Sequence, residues 1–347
     1  MIANNFNLLR LFAAMLVLYG HGYVLQGHVV PSSLNHELGV HIFFAISGYL
    51  IASSWQNDPN LIRYFWRRSL RIFPALIFAV LLSIMVLGPL MTTLESNVYW
   101  KHSFVTNYLH NILLYINYSL PGVFSENIIP HAVNGSLWTL PVEFFMYITV
   151  ALLGVLCMNN RWVSLIFFIF WLGVSLAWES LGFGNVVIYA TLVKPLTSLA
   201  ALFWAGVCIN RWNIERYFSL NNFVVILTIW IFSYQWPEAA HLIQYFALPF
   251  LVLCFGSSSC GSLGVFNKAD YSYGVYIYAF PIQQTLVTLF PSLPVLLSIA
   301  ICAMATLGIS AFSWHAIEKP MLRFKPRQKK ITSSVTNSDT TLLKGAI

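Results

Sequence analysis

Charged side chains are scarce in this chain. Lys and Arg number 18 and Asp and Glu 11 among 347 residues, or 8%, while 58% of the residues are hydrophobic. Soluble domains carry about 25% charged residues, so this composition excludes an ordinary soluble domain. Apolar runs of roughly 17 to 25 residues can cross a bilayer as helices. The sequence therefore predicts an all-α integral membrane protein with about ten transmembrane helices. They are predicted at 6–26, 38–56, 70–91, 136–158, 162–180, 189–209, 222–236, 240–256, 272–290 and 294–316.

The chain also lacks the motifs of several common cofactor sites. Its five cysteines form no CxxC pair, which argues against a disulfide framework or a zinc site. His36 and His41 stand five positions apart, about 140° around a helix, whereas the HExxH metal motif needs a spacing of four. Neither GxxxxGKS/T nor GxGxxG occurs, so nothing supports ATP hydrolysis or dinucleotide binding. We expect no metal.

Basic residues alternate between the loops. If the N-terminus is cytoplasmic, the loops on the opposite side carry only Lys101. This asymmetry follows the positive-inside rule and predicts that both termini are cytoplasmic. It also accounts for the net charge of +7 without a nucleic-acid partner. The predicted cytoplasmic cations are Arg63, Arg67, Arg68, Arg71, Arg161, Arg211, Arg216, Lys268, Lys319, Arg323, Lys325, Arg327, Lys329, Lys330 and Lys344.

Two segments depart from the pattern of short loops. The 44 residues 92–135 form a long loop on the predicted outer side, between the third and fourth helices, and they are rich in Tyr, Trp, His and Asn. Such residues suit a sugar acceptor, and an aromatic belt at the membrane interface is an equally good interpretation. After Pro320 the chain turns basic and then rich in Ser and Thr. We therefore predict a transmembrane domain over 1–320 and a disordered cytoplasmic tail over 321–347.

Arg10 and His21 share one face of the first predicted helix. Their eleven-residue separation leaves them about 20° apart around the helix and about 16 Å apart along it. Ionisable side chains inside a membrane span are costly and usually face a protein interior or a water-filled path. The pair therefore predicts a reactive channel. The alternatives are that Arg10 extends its side chain to the lipid headgroups and that His21 is a structural, hydrogen-bonded histidine.

Several further segments carry polar residues against the apolar background. Together with the Arg10 to His21 spacing, their order resembles the acyltransferase 3 family of membrane acyltransferases, over about residues 5–323. The segments are 39–51 (GVHIFFAISGYLI), 67–74 (RRSLRIFP), 134–147 (NGSLWTLPVEFFMY), 272–281 (SYGVYIYAFP) and 315–320 (HAIEKP).

The resemblance implies transfer of an acetyl group, usually from acetyl-CoA, to a hydroxyl of a surface carbohydrate. It implies a lipopolysaccharide O-antigen as the first expected acceptor, an exopolysaccharide as the next, and a place in the bacterial inner membrane. In that family an Arg and a His at this spacing are required for activity, and they correspond to Arg10 and His21. Basic residues in an RxxR pattern correspond to Arg68 and Arg71.

This sequence also departs from the family pattern. Many members have Asp at the position of His41, and a second acidic residue or Gln where this chain has Phe144 and Phe145. Some members append a soluble hydrolase-like domain. This chain ends too soon for one, so we expect transfer to finish in the membrane domain.

The residues themselves suggest how such a reaction would run. His21 and Glu143 are expected at similar depth near the outer end of their helices. Glu143 would then orient His21 as the general base that deprotonates the sugar hydroxyl, while a covalent acyl-histidine is the alternative. Arg10, Arg68 and Arg71 are expected to bind the phosphates of acetyl-CoA at the cytoplasmic end, although Arg68 and Arg71 also fit simple topology signals.

Other candidates have weaker arguments. His41 ranks second to His21 and is expected to substitute for it or to line the acceptor site. Ser47 is a candidate acceptor contact, although with Gly48 it is expected mainly to allow close helix approach rather than to act as a nucleophile. Structural pairing with Arg10 or a basic loop residue is expected for Glu318. The remaining candidate contacts are Asn134 and Trp138 for the acceptor and Tyr273 for the donor, with packing as the alternative for the two aromatic residues.

A transporter or flippase is the alternative function, because polar residues within spans also mark substrate paths. The chain has no inverted repeat and no matched pair of Gly/Pro-broken helices. Its RxxR cluster instead indicates an anionic donor, so we favour the acyltransferase.

Overall fold

The computed structural model describes residues 4–31, 37–157, 160–258 and 269–326. The fold is almost entirely helical; one short hairpin pairs β1 (Val187–Ile188) with β2 (Thr191–Leu192). The helices are α1 (Phe6–Leu25), α2 (Glu37–Asn57), α3 (Leu61–Leu82), α4 (Gly88–Met91), α5 (Ser96–Lys101), α6 (Ser103–Tyr108), α7 (Thr139–Leu156), α8 (Arg161–Ala177), α9 (Val193–Arg211), α10 (Leu220–Ser233), α11 (Pro237–Ser257), α12 (Ser272–Leu289), α13 (Val295–Ser313) and α14 (Lys319–Leu322).

Each of the ten predicted apolar runs overlaps one of these helices. Within the described residues, seven helical segments are long and apolar enough to cross a membrane. The helices α8 and α10 are apolar but have only 17 and 14 residues, and α12 carries the buried amides of Gln283 and Gln284. The multi-pass architecture is thus confirmed, while ten spans and their orientation stay predictions. The seven segments are Phe6–Leu25, Glu37–Asn57, Leu61–Met91, Gly135–Leu156, Val193–Arg211, Pro237–Ser257 and Val295–Leu322.

The third predicted helix begins earlier than expected. It starts at Leu61 rather than at residue 70 and continues through a π-helical turn (Ser83–Leu87) to Met91, 31 residues in all. Asn60 caps this start, because its side chain accepts a 3.0 Å hydrogen bond from the Arg63 amide. At 1.5 Å per residue the segment is about 46 Å long, more than the roughly 30 Å hydrocarbon core. The arginine-rich first turns therefore have room to extend beyond the core.

The long loop 92–135 is folded rather than open. It contains α5, α6 and two 3₁₀ turns, Leu109–Leu113 and Gly135–Trp138, of which the second ends just beyond the loop. Asn111 is fully buried and donates 2.9 Å hydrogen bonds to the carbonyls of Tyr108 and Asn117. Part of the polar content that predicted an acceptor surface therefore holds the loop together.

Small residues bring α2 and α9 close together. A Cβ at Gly48 would lie 1.9 Å from the Phe203 carbonyl oxygen, and one at Gly206 would lie 2.2 Å from that of Ala45. Both distances are far inside van der Waals contact, so these positions require glycine for this packing. The predicted role of Gly48 in close helix approach is confirmed.

The predicted domain boundary at 320 falls within α14, which ends at Leu322. The side chain of Trp66 donates a 3.1 Å hydrogen bond to the Phe324 carbonyl, which ties the segment after α14 to α3. His36, Lys268 and the tail from 327 to 347 lie outside the described residues.

Candidate active site

A cavity of about 390 Å³ opens between α1, α2, α3, α7 and α12, where their polar residues converge. The side chains of its wall carry more positive than negative charge. Among them are five cations, Arg10, Arg67, Arg68, Arg71 and Lys325, and two carboxylates, Glu143 and Asp270.

Asp270 joins two of these cations. Its Oδ2 lies 2.6 Å from Nη2 of Arg71 and 3.5 Å from Nη1 of Arg10. Its Oδ1 accepts a 3.2 Å hydrogen bond from the backbone amide of Ser272, and also one from the hydroxyl of that residue. The carboxylate therefore links α1 and α3 to the first turn of α12. The sequence analysis missed Asp270, although an Asp just before an apolar helix is a typical capping signal.

Two further arginines lie along α3. The Arg68 guanidinium lies 5.9 Å from the ring centre of Tyr147, a cation–π distance, and its buried Nε has no hydrogen-bond partner among the described residues. Arg67 is held by Asp58, whose Oδ2 is 2.7 Å from its Nη1. A buried guanidinium nitrogen without a partner fits a site that binds an anion.

Tyr273 also belongs to the cavity wall. Its hydroxyl donates a 2.9 Å hydrogen bond to the Ile72 carbonyl, and the Arg71 guanidinium lies 5.9 Å from its ring centre. Tyr273 thus packs the start of α12 against α3 beside the arginines.

Glu143 lies on the same wall, one helical turn from Thr139 and from Tyr147 on α7. Its Oε1 accepts hydrogen bonds from the hydroxyls of Ser47, at 3.2 Å, and Tyr147. The hydroxyls of Thr139 and Tyr276 lie 2.8 Å apart and link α7 to α12 one turn further along. The Glu143 carboxylate, with its two hydroxyl donors, thus lies between the arginines and the hydrogen bond that joins Thr139 to Tyr276.

His21 lies near that linked end, although it is not part of the cavity wall. Its ring and that of Phe280 form a T-shaped contact with a centroid distance of 5.2 Å and an interplanar angle of 83°. Phe280 follows Tyr276 by one turn of α12, so His21 lies roughly one turn beyond a wall residue. The predicted pairing of Glu143 with His21 stays a prediction.

The other predicted contacts are not part of the cavity wall. Asn134 donates a 2.8 Å hydrogen bond to the Ile277 carbonyl, which has no helical partner because Pro281, four residues later, lacks an N–H. This bond gives Asn134 a structural role. Trp138 packs against the hydrophobic core. His41 lies near Glu37 and His241. Roles of Asn134, Trp138 and His41 in acceptor binding stay predictions.

Six of the ten predicted site residues therefore meet at one cavity, namely Arg10, Ser47, Arg68, Arg71, Glu143 and Tyr273. The salt bridge of Arg10 goes to Asp270, whereas Glu318 accepts a 3.1 Å hydrogen bond from Ser313. Arg10 thus pairs with Asp270 rather than with Glu318, and the other expected pairing of Glu318, with a basic loop residue, stays a prediction.

Two groups of the cavity outside the spans have shifted pKa values. Desolvation by the surrounding protein, together with the neighbouring cations Arg71 and Arg68, lowers the pKa of Lys325 to about 8. Burial alone would raise the pKa of Asp270, but Arg71 and Arg10 hold it below its ordinary value. Lys325 therefore changes charge just above neutral pH, while Asp270 stays ionised.

Within the described ranges, no three His, Cys, Asp or Glu side chains form a cluster that could hold a metal ion. The donor set of the cavity consists mainly of guanidinium groups, which suit carboxylates and phosphates.

Comparison with known proteins identifies the family of this chain. The model of the acyltransferase domain of the acyltransferase 3 family matches residues 4–314. The O-acetyl transferase of Shigella phage Sf6 is 30% identical over 334 residues, covering 92% of this chain and 96% of that protein. Nodulation protein 10 of Rhizobium leguminosarum bv. viciae is 27% identical over 357 residues, covering 93% and 94%. No solved structure matches at a significant level. The chain belongs to the acyltransferase 3 family, and it is an acyltransferase.

Proposed function

We propose that this acyltransferase transfers an acetyl group from cytoplasmic acetyl-CoA to a sugar hydroxyl of a surface polysaccharide. Lipopolysaccharide O-antigen is the first candidate acceptor and an exopolysaccharide the second. The observation that carries the proposal is one cavity with guanidinium groups around Asp270 and the Glu143 carboxylate further along its wall. A relative of nearly the same length carries the name O-acetyl transferase. The proposal includes ten spans in the bacterial inner membrane, with both termini cytoplasmic.

Donor binding in this proposal uses the basic part of the cavity. Arg10, Arg68, Arg71 and Lys325 would bind the phosphates of acetyl-CoA through charge-assisted hydrogen bonds. The buried Nε of Arg68, which has no partner within the described ranges, supports an anionic ligand there. The pantetheine arm would then extend past Ser47 and Glu143.

Acetyl transfer would take place at the His21 end. The sugar hydroxyl attacks the thioester carbonyl carbon while His21 takes its proton, and CoA leaves as a thiolate that is then protonated. Glu143 enters the proposal as the carboxylate that orients His21. The helical separation of Arg10 and His21, about 16 Å, allows phosphate recognition and proton transfer to occur at the two ends of an extended donor.

The experiment is a gene deletion complemented with wild type or His21→Ala, followed by NMR of the purified surface polysaccharide. The proposal expects O-acetyl signals to disappear on deletion, to return with wild type, and to stay absent with His21→Ala. Normal acetylation by a membrane-inserted His21→Ala protein would contradict the proposed role of His21 as the general base. Loss of the polysaccharide itself on deletion would favour the flippase.

A further inference from the structure

Asp270 bridges two arginines of the cavity wall. It contacts guanidinium groups from two different helices, Arg10 of α1 and Arg71 of α3, through the same oxygen atom. Its side chain is only 8% exposed. A carboxylate so deeply buried is tolerated only when it is paired and hydrogen-bonded, and both conditions are met here.

The orientation of the Asp270 carboxylate is fixed from its other side as well. The Ser272 amide, which belongs to the first turn of α12, donates to the second carboxylate oxygen at 3.2 Å. The hydroxyl of Ser272 donates to that oxygen too. Each oxygen therefore has a defined partner, and the carboxylate cannot rotate without breaking bonds on both sides. Such an anchor restricts the long side chains of Arg10 and Arg71 to one orientation.

Each arginine uses only part of its hydrogen-bonding capacity in this bridge. A guanidinium group has five N–H donors in a planar fork, and the contacts with Asp270 involve one nitrogen of Arg10 and one of Arg71. Both arginine side chains are 22% exposed and line the cavity. Their remaining donors are thus available to a ligand there.

We propose that Asp270 is a positioning residue for the acyl donor, which orients Arg10 and Arg71 so that their remaining N–H groups bind the donor phosphates. This inference rests on the proposed function, because it assumes that acetyl-CoA binds in this cavity. Asp270 itself does not touch the donor. Its negative charge opposes phosphate binding, so its benefit is geometric.

The test compares steady-state kinetics of the purified full-length enzyme and its Asp270→Asn variant with acetyl-CoA. Loss of the charge-assisted bonds is expected to raise KM for acetyl-CoA about tenfold, with kcat changed by less than about twofold. In an Arg71→Ala background the same substitution should raise KM less, because one of the two arginines through which Asp270 acts is already gone and only Arg10 remains. Asp270→Glu should restore part of the affinity.

Glu179 provides a control. Its carboxylate forms an ion pair with Lys194, and neither residue lines the cavity. Glu179→Gln should leave KM for acetyl-CoA unchanged. A merely structural role of Asp270 would leave KM unchanged in both variants.

An unchanged KM in Asp270→Asn would overturn the inference. A lower KM would overturn it too, since the Asp270 charge would then act on the donor only by repulsion. If that variant does not fold, Ser272→Ala removes one bond to the carboxylate and should raise KM about threefold; an unchanged KM there would also overturn it. Failure of the proposed function looks different, because wild type itself would show no saturable dependence on acetyl-CoA.

Discussion

The hydroxyl of Ser47 on α2 donates a 3.2 Å hydrogen bond to Oε1 of Glu143 on α7, on the wall of the arginine-rich cavity. Tyr147, one turn along α7, donates to the same oxygen. Two hydroxyl donors on one oxygen hold the Glu143 carboxylate in a defined orientation on the cavity wall. The relationship also shows why the two segments that carry Ser47 and Glu143, far apart in sequence, belong to one site.

Glu143→Gln should lower kcat by about 100-fold, in the range expected for loss of a group that assists proton transfer. Ser47→Ala should lower it less, by about tenfold, because the bond from Tyr147 remains. The measurement is acetyl transfer by the purified variants at saturating acetyl-CoA. Wild-type kcat in Glu143→Gln would contradict a role for the carboxylate in the reaction.

Lys325 should make donor binding depend on pH. Its pKa of about 8 means that the ammonium group is charged below that pH and neutral above it. KM for the anionic donor should therefore rise as pH increases from 7 to 9. Lys325→Arg should keep KM low over this range, because arginine stays protonated, whereas Lys325→Met should have a high KM throughout. An equal rise in wild type and Lys325→Met would assign the effect to another group.

Asn111 should control the order of the long loop. Its amide bonds the Tyr108 and Asn117 carbonyls, and its carbonyl accepts from the Asn117 amide at 3.0 Å. Asn111→Ala leaves these groups without partners and should destabilise the loop by about 2–3 kcal/mol. Limited proteolysis of the membrane-inserted protein should then cut within 92–135 faster than in wild type. Trp100→Ala, at an exposed position of the loop, should not change the rate.

The sequence predicts the arginines of the site better than their partners. Arg10, Arg68 and Arg71 stand out because ionisable residues are rare in an apolar chain, and helical geometry places them at the same end of their helices. Asp270 is 199 residues from Arg71 in sequence, and no local pattern reveals which helix start will meet which arginine. Only the packing of α12 against α1 and α3 decides that.

Asn134 shows a second reason why the sequence alone does not identify every site residue. Its place in a polar motif predicts an acceptor contact, yet its side chain bonds the Ile277 carbonyl that Pro281 leaves without a partner. A proline within an apolar helix is visible in the sequence. The polar group that compensates for it lies on another segment, so the sequence does not separate a structural amide from a binding one.

Gly48→Ala should destabilise the protein where α2 crosses α9. The new methyl group would lie 1.9 Å from the Phe203 carbonyl oxygen and 2.7 Å from its carbon, and backbone atoms cannot rotate away as a side chain can. The helices must separate, at a cost of about 1–3 kcal/mol or more, and Ser47 beside it shifts away from Glu143. Both the midpoint of thermal unfolding in detergent and kcat should fall.

Gly173→Ala on α8 is the matched control, because a Cβ there meets nothing within 4 Å and alanine favours a helix by up to about 1 kcal/mol. Equal unfolding midpoints for the two variants would contradict tight packing at Gly48.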